Sequence, residues 1–508
     1  MKMRYNEEEH MEILKKLAQL AETGRTAIVY GDKTLSYREL NSWSDAFAAY
    51  LKREAPEGKA PVLIYGHKEL EIPACMFGSL KSGRGYVPVD VTYPPERVAQ
   101  IAAEAKPCVI VDLTDTLELP GLNLSQLREI LARTCAPASE EDWLRPDETA
   151  YILFTSGSTG KPKGVQITAK NLAAFHAGVR PFFDGMQPGG AFLNEISYSF
   201  DVSVCALYEA LGRGMTLWTA DRTALENPKL LFEILQKANL TDWVSTPSLA
   251  ELCVQSDRFC GALMPQLRQM LFCGEVLTKK LTQELMARFP DVPIVNAYGP
   301  TETTVLVTGA RMTEQMLQAD APLPIGYAFS NCEARICGAE GTVLPEGEAG
   351  ELCLLGQTVS PGYLGRPDLN ARAFFEDGGR RGYRTGDLCR MEGGLIYYLG
   401  RLDNQIKLNG FRVELEDVEN NLVKVSNIAR AAVLAEMQDG KAVALSAYVM
   451  LEKPDGEGSL QRARRIKKEL GELVPSYMVP RRIIAVDSFP LNTNGKIDKK
   501  QLRALRAT

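Results

Sequence analysis

Short apolar runs rich in β-branched residues alternate with amphipathic stretches from about residue 61 to residue 296, and this alternation constrains the fold more than any other feature. Residues 61–65, 85–90, 108–112 and 151–154 read as strands, with helices expected over 70–81 and 95–106. Such an order predicts parallel sheets covered by helices. A second series follows, with strands over 216–219, 242–245, 269–272 and 293–296 and a helix over 228–238. Beyond about Ile325 the pattern changes to strands with Gly and Pro turns, among them 334–337 and 351–355, which predicts a small β-rich subdomain. The chain has 508 residues, too many for one compact core.

The loop after the run 151–154 carries the clearest chemistry. Thr155 to Gly164 combines glycines, hydroxyls and two lysines, so backbone N–H groups and small side chains can receive phosphate oxygens. Pro162 follows Lys161 where a Walker A loop has Ser or Thr, which excludes that motif. A plain Gly/Ser surface loop is the competing reading. A second cluster, Asn296 to Thr304, sets an aromatic ring, a Gly-Pro turn, hydroxyls and one carboxylate at the end of a strand. There Tyr298 is expected to stack on a base and Glu302 to hold a divalent cation against a phosphate. Residues 383–387 and 400–403 add Asp387 and Arg401, an acid and a base of the kind that bind ribose hydroxyls and an α-phosphate. Singly these strings are common surface turns. In this order their joint occurrence by chance is very low.

Charge and composition exclude several classes. The net charge of −6 argues against general nucleic-acid binding. Eleven cysteines without a Cys-x-x-Cys pair read as free thiols in a reducing compartment, and three histidines in no ligand spacing exclude a His-rich metal centre. No apolar run approaches bilayer-spanning length and residues 1–10 lack a signal-like apolar core, so a cytoplasmic protein without membrane insertion is expected. From Gln461 to Thr508 there are twelve Lys/Arg against four Asp/Glu. This stretch is either the solvated face of a helix with Ala463, Ile466, Leu470 and Leu473 inside, or a docking face for an acidic partner.

Taken with Asn494-Gly-Lys496, the segments 155–164, 298–302, 383–387 and 400–403 resemble the motif series of the adenylate-forming enzymes, which include acyl-CoA synthetases, luciferases and peptide-synthetase adenylation domains. Within that superfamily, Phe200-Asp201, residues 245–248 and residues 272–277 look like the amino-acid-activating branch. Residues 65–67, 87–90 and 405–408 also follow its D-alanine-activating, carrier-loading ligases.

The resemblance implies an α/β fold with a large N-terminal domain, residues 1–402, of two α/β subdomains plus the β-rich subdomain. A small mobile α+β C-terminal domain, residues 403–508, would follow from a hinge at Asp403. It implies ATP and Mg²⁺ as cofactors and Lys496 as the catalytic cation. Thr155, Ser156 and Lys163 would serve the phosphates; Asn296, Ala297, Tyr298, Gly299, Pro300 and Thr301 the adenine and α-phosphate; Glu302 the Mg²⁺. Asp387, Tyr398 and Arg401 would bind the rest of the nucleotide, with the ribose on Asp387 and Arg401. Asp201 would hold the substrate α-ammonium, and Cys273 and Val305 would line the side-chain pocket. A helix N-cap before residues 202–204 is the other reading of Asp201.

The implied reaction activates D-alanine or another small amino acid and transfers it to an acidic phosphopantetheinylated carrier protein supplied in trans, for lipoteichoic acid alanylation or peptide synthesis. Residues 202–208 depart from the ligase pattern at Cys205 and Ala206, which leaves side-chain size and enantiomer open. A stand-alone peptide-synthetase enzyme for glycine or a small L-amino acid is the nearest alternative. An acyl-CoA ligase or a noncatalytic nucleotide-binding scaffold stands further off.

Overall fold

The computed structural model describes residues 11–157, 160–438, 440–490, 497 and 499–504. These residues form two compact units. One comprises Met1–Asp90, Glu104–Leu153 and Gly164–Leu402; the other comprises Val91–Ala103, Phe154–Lys163 and Asp403–Thr508. The larger unit ends at Leu402 and the smaller resumes at Asp403, and two further segments, Val91–Ala103 and Phe154–Lys163, group with the C-terminal residues.

In the larger unit the expected strands form two mainly parallel sheets. The first runs in the spatial order 327–328, 308–311, 294–298, 269–272, 242–245, 191–194, 216–219, 26–30 and 33–36. The second runs 362–363, 163–168, 149–155, 86–89, 62–65, 109–112 and 122–123, residues 154–155 and 163 at its strand ends being grouped with the smaller unit. Strands Asp242–Ser245, Gln269–Phe272 and Ile294–Tyr298 are buried at every position and pair in parallel, as strands of a sheet covered on both faces should. The helix Ala169–Phe183 starts at a reciprocal cap in which Thr168 and Asn171 satisfy each other's backbone N–H. The same Asn171 amide donates to the carbonyls of Gln357 and Val359, which ties the helix start to the stretch preceding Tyr363.

The β-rich part is a five-stranded antiparallel sheet of residues 332–337, 349–356, 374–377, 380–392 and 395–401. Its buried Ile336, Leu352, Leu354, Cys389 and Ile396 pack with Tyr298 and Val307. This shared core brings the β-rich sheet to the end of the strand Ile294–Tyr298. All eleven cysteines are free thiols. No helix among the described residues is long and apolar enough to cross a membrane.

In the smaller unit a sheet of residues 411–414, 405–408, 441–451 and 428–438, with 482–485 added beside 441–451, is covered by the helices Leu415–Leu422 and Ser459–Gly471. Ile466 and Leu470 are buried, as the helical spacing predicts. Between Arg462 and Arg482 several of the cations have local partners. Arg462 pairs with Asp455 at 2.5 Å, Arg465 with Glu457 at 3.1 Å, and Lys467 donates to the Arg481 carbonyl. Asp455 and Glu457 precede the basic stretch and pair with two of its arginines, while most of its excess positive charge stays.

Candidate active site

The C-terminal ends of parallel strands are where open α/β sheets bind ligands. In the larger unit the strands Asp242–Ser245, Gln269–Phe272 and Ile294–Tyr298 end side by side, with Phe272 opposite Asn296 in register. Cys273 therefore follows directly at this edge and is buried, its N–H donating to the Ser245 carbonyl at 3.2 Å. Gly274 adopts φ +87°, and a Cβ there would lie 3.6 Å from the Phe200 ring, so the Phe200-Asp201 segment reaches the same strand ends. Asn296 is buried and its amide donates to the Pro324 carbonyl at 2.7 Å.

Gly299 turns the chain into Pro300 and the 3₁₀ turn Thr301–Thr303. A Cβ on Gly299 would stand 2.4 Å from the Val305 carbonyl oxygen, so no larger residue fits without moving the backbone. Thr304 and Val305 then follow with φ of 62° and 68°, left-handed conformations in two successive β-branched residues. Such backbone costs on the order of 1–3 kcal/mol per residue and persists where surrounding contacts over-determine it. Here Thr304 donates its hydroxyl to the Thr358 carbonyl at 2.7 Å, and Val305 is buried.

Around this turn the carboxylates are held separately. Asp387 faces Arg401 across an antiparallel ladder, in direct register, with the guanidinium 2.8 Å from Asp387 Oδ1. Arg401 also donates to the Thr385 carbonyl, and the Thr385 hydroxyl accepts from the Asp387 N–H. The Tyr298 hydroxyl donates to Asp387 Oδ2. Burial, then the Asp387 charge, pushes the Tyr298 phenol well above its ordinary range, so it stays a donor. Its ring is largely buried and belongs to the core shared with the β-rich sheet, against which Tyr398 also packs. Glu302 is fully buried and its Oε1 accepts from the Tyr363 hydroxyl at 2.7 Å.

Asp201 is buried, and its Oδ2 accepts from the Thr301 hydroxyl at 2.7 Å. That bond joins the expected ammonium anchor to the turn carrying Glu302. The segment beyond it forms a π-helical stretch, Cys205–Ala210, with Val204 and not Asp201 in the cap position. π-Helical turns are rare and concentrate at functional sites.

Three more of the expected site residues fall in the smaller unit. The Thr155 hydroxyl is buried and has no hydrogen-bond partner among the described residues. The Ser156 hydroxyl donates to the Arg412 carbonyl at 3.0 Å and accepts from the Glu414 N–H at 3.1 Å. Lys163 is buried 3.7 Å from Glu414 Oε1. Arg97 reaches the same loop, donating to the Gly160 carbonyl at 3.1 Å and to Asp417 at 2.8 Å. The Asp403 carboxylate accepts from the Gln405 N–H, closing a tight turn at the start of the C-terminal segment. Lys496, the expected catalytic cation, lies outside the described residues.

Tyr363, Thr385, Arg97 and Asp417 were not legible as site residues. Each is a lone polar residue in an unremarkable string, and only its distant partner gives it meaning. The Tyr363 hydroxyl had one available signal, the Pro361-Gly362 turn just before it.

Known proteins resemble this chain over most of its length. Residues 16–364 match the AMP-binding enzyme family and residues 417–496 its C-terminal domain. The chain is 43% identical to the D-alanine--D-alanyl carrier protein ligase of Listeria monocytogenes, over 94% of this chain and 95% of that one. It is 39% identical to the ligase of the same name from Bacillus anthracis, over 94% and 96%. Among solved structures, a holo NRPS protein containing adenylation and PCP domains superposes with a TM-score of 0.82 at 25% identity, over 97% of this chain and 84% of that one. The Vibrio cholerae adenylation domain in complex with glycyl-adenosine-5'-phosphate superposes with a TM-score of 0.80 over 100% and 99%, and at 24% identity it speaks for the fold alone. With the family matched across most of its length and ligases of one name aligned nearly end to end, the chain belongs to the AMP-binding enzyme family.

Proposed function

We propose that this enzyme activates D-alanine with ATP as D-alanyl-AMP and then transfers the alanyl group to the phosphopantetheine thiol of a separate, acidic carrier protein. The observation that carries the reading is the 43% identity, over 94% of the chain, to a D-alanine--D-alanyl carrier protein ligase. In the first step a substrate carboxylate oxygen bonds to the α-phosphorus, the α–β bridging bond breaks, and pyrophosphate leaves. In the second the carrier thiol gives up its proton, its sulfur bonds to the acyl carbon, and AMP leaves.

The chain's own residues suit each need. Asp201, buried beside the Thr301 hydroxyl, is a carboxylate that gains most from a cationic partner such as an α-ammonium. Asp387 supplies two carboxylate oxygens already oriented by Arg401 and Tyr298, a geometry that suits a pair of ribose hydroxyls. The Thr155 hydroxyl, unpartnered among the described residues, and the Lys163 ammonium are donors for phosphate oxygens, with Ser156 holding the loop through backbone contacts. Lys496 supplies the charge that neutralises the two anions as they approach, and Asp403 is the hinge through which the C-terminal residues exchange roles between steps.

Magnesium bound to a nucleotide takes most of its ligands from phosphate and water and needs one or two protein carboxylates. Glu302, the one acid in its turn, fits that donor set, and Tyr363 orients its Oε1. When bound, the ion would neutralise polyphosphate charge.

ATP–pyrophosphate exchange across D- and L-alanine, glycine and serine tests the first step, and acyl transfer to purified holo-carrier tests the second. D-alanine is expected to support the fastest exchange. Fastest exchange with glycine or an L-amino acid would instead assign a peptide-synthetase-type substrate, and exchange with none of them would remove the proposal.

A further inference from the structure

Lys68 lies in the turn between the strand Val62–Tyr65 and the helix Glu71–Lys81 and is 2% exposed. Its ammonium donates to Asn194 Oδ1 at 2.8 Å and to the Ile196 carbonyl at 2.6 Å, and it sits 4.1 Å from the centre of the Tyr198 ring. All three contacts fall on the segment that leads from the strand Ala191–Asn194 into Phe200 and Asp201. Alternate residues of that segment are tied to a second group. Ser197 donates to Asp90 Oδ2 at 2.7 Å and exchanges a hydrogen bond with Ser199 at 3.0 Å. His67 Nδ1 meets the same Asp90 oxygen at 2.7 Å while its Nε2 accepts from the Arg222 N–H, so the Nδ1 proton is directed at Asp90. Residues 194, 196 and 198 thus hang on Lys68, and 197 on Asp90, with 199 bonded to 197.

A buried cation is costly unless its surroundings compensate it, and an apolar side chain of similar length often serves the fold as well. Burial pulls the Lys68 ammonium down to about 7, against the charges of Glu195, Asp90 and Glu69. Glu195 stands within the tied segment, and its Oε1 is buried with no hydrogen-bond partner among the described residues. Packing alone gives no reason for this arrangement. Three directed contacts on one short segment do.

We propose that Lys68 is a positioning residue for amino-acid recognition: by fixing residues 194–198 it sets where the Asp201 carboxylate stands, and hence where the substrate ammonium binds. The inference rests on the reading of Asp201 as the ammonium anchor.

The test is ATP–pyrophosphate exchange, with whichever of D-alanine, L-alanine and glycine exchanges best, on Lys68→Met, Lys68→Arg, the double variant Lys68→Met/Glu195→Gln, and Asp201→Asn, together with thermal unfolding. Lys68→Met is expected to raise the amino-acid KM tenfold or more and to leave the ATP KM within about twofold, with Lys68→Arg recovering part of the loss. The double variant removes both buried charges, so it is expected to melt near wild type and still show the raised amino-acid KM. If the double variant restores that KM, or if the two KM values rise together with a loss of melting temperature, Lys68 is merely structural and the proposal is overturned. Asp201→Asn separates the two claims. If it raises the amino-acid KM while Lys68→Met does not, the positioning role alone fails. If Asp201→Asn leaves that KM unchanged, or no amino acid supports exchange, the anchor reading fails and the inference falls with it.

Discussion

Arg97 and Asp417, 320 positions apart in the chain, meet at 2.8 Å with neither side chain open to solvent. The same guanidinium holds the Gly160 carbonyl, so one ion pair joins the segment 91–103, the glycine-rich loop and the helix Leu415–Leu422 inside the smaller unit. Burial raises the Asp417 carboxyl against the opposing pull of Arg97, which shows how much this acid depends on its partner. Arg97→Met should cost about 3–5 kcal/mol because it leaves a buried charge uncompensated. Arg97→Met/Asp417→Leu should recover most of that loss. Urea unfolding measures both, and a single-variant loss below about 1 kcal/mol, the range of exposed pairs, would mean that water reaches the site.

Lys496→Ala should slow amino-acid-dependent pyrophosphate exchange by about 10²-fold or more, since one positioned charge near the reacting phosphate is worth several kcal/mol. Transfer from supplied D-alanyl-AMP to the carrier should be much less affected. Equal damage to both half-reactions would count against the assignment.

At Asp387, the ribose reading predicts a selective effect on nucleotide. Asp387→Asn keeps the size but weakens the pairing with Arg401, and it should raise the ATP KM by about tenfold while the amino-acid KM changes little. Tyr298→Phe removes one donor to the same carboxylate and should act in the same direction more weakly. A rise in the amino-acid KM alone would place the ribose elsewhere.

Glu302→Gln tests the magnesium reading. Exchange should need several-fold more Mg²⁺ for half-maximal rate, and excess Mg²⁺ should recover part of the activity. An unchanged Mg²⁺ dependence with a lower melting temperature would assign Glu302 only to its contact with Tyr363.

The half-buried His176 ring lies 2.9 Å from the buried Glu209, whose other oxygen meets Arg213. The Glu209 charge raises His176 above the ordinary histidine range despite burial, while His176 and Arg213 hold Glu209 below the ordinary range although burial opposes them. The His176 contribution to stability is therefore fully present below about pH 6.5, the unfolded value, and is lost as pH rises through its raised folded value. The Glu209 contribution is present above the ordinary glutamate value and disappears as pH falls through its lowered folded value. The urea-midpoint difference between wild type and His176→Asn should shrink as pH rises above 6.5. A difference that grows over that interval would reverse the sign and rule out this linkage.

Local pattern determined much of this protein. Short apolar cores, Trp243-Val244, Met270-Leu271-Phe272 and Ile294-Val295, made the strands around them legible, because a strand buried on both faces draws apolar residues to its centre. The close approach at Gly299 and the strings containing Asp387 and Arg401 were legible for a similar reason: a turn or a cross-strand pair imposes its residue types over a few positions. Tertiary structure alone decided which charges meet. Nothing near Arg97 points to Asp417, nothing near Glu302 points to Tyr363, and nothing in the stretch after Gln461 shows that Arg462 and Arg465 pair with Asp455 and Glu457, which fall outside it. Periodicity follows from the geometry of a single element, whereas the partner of a buried polar group is set by which elements pack around it, and it is that partner which decides whether a carboxylate is buried, paired or ready to bind.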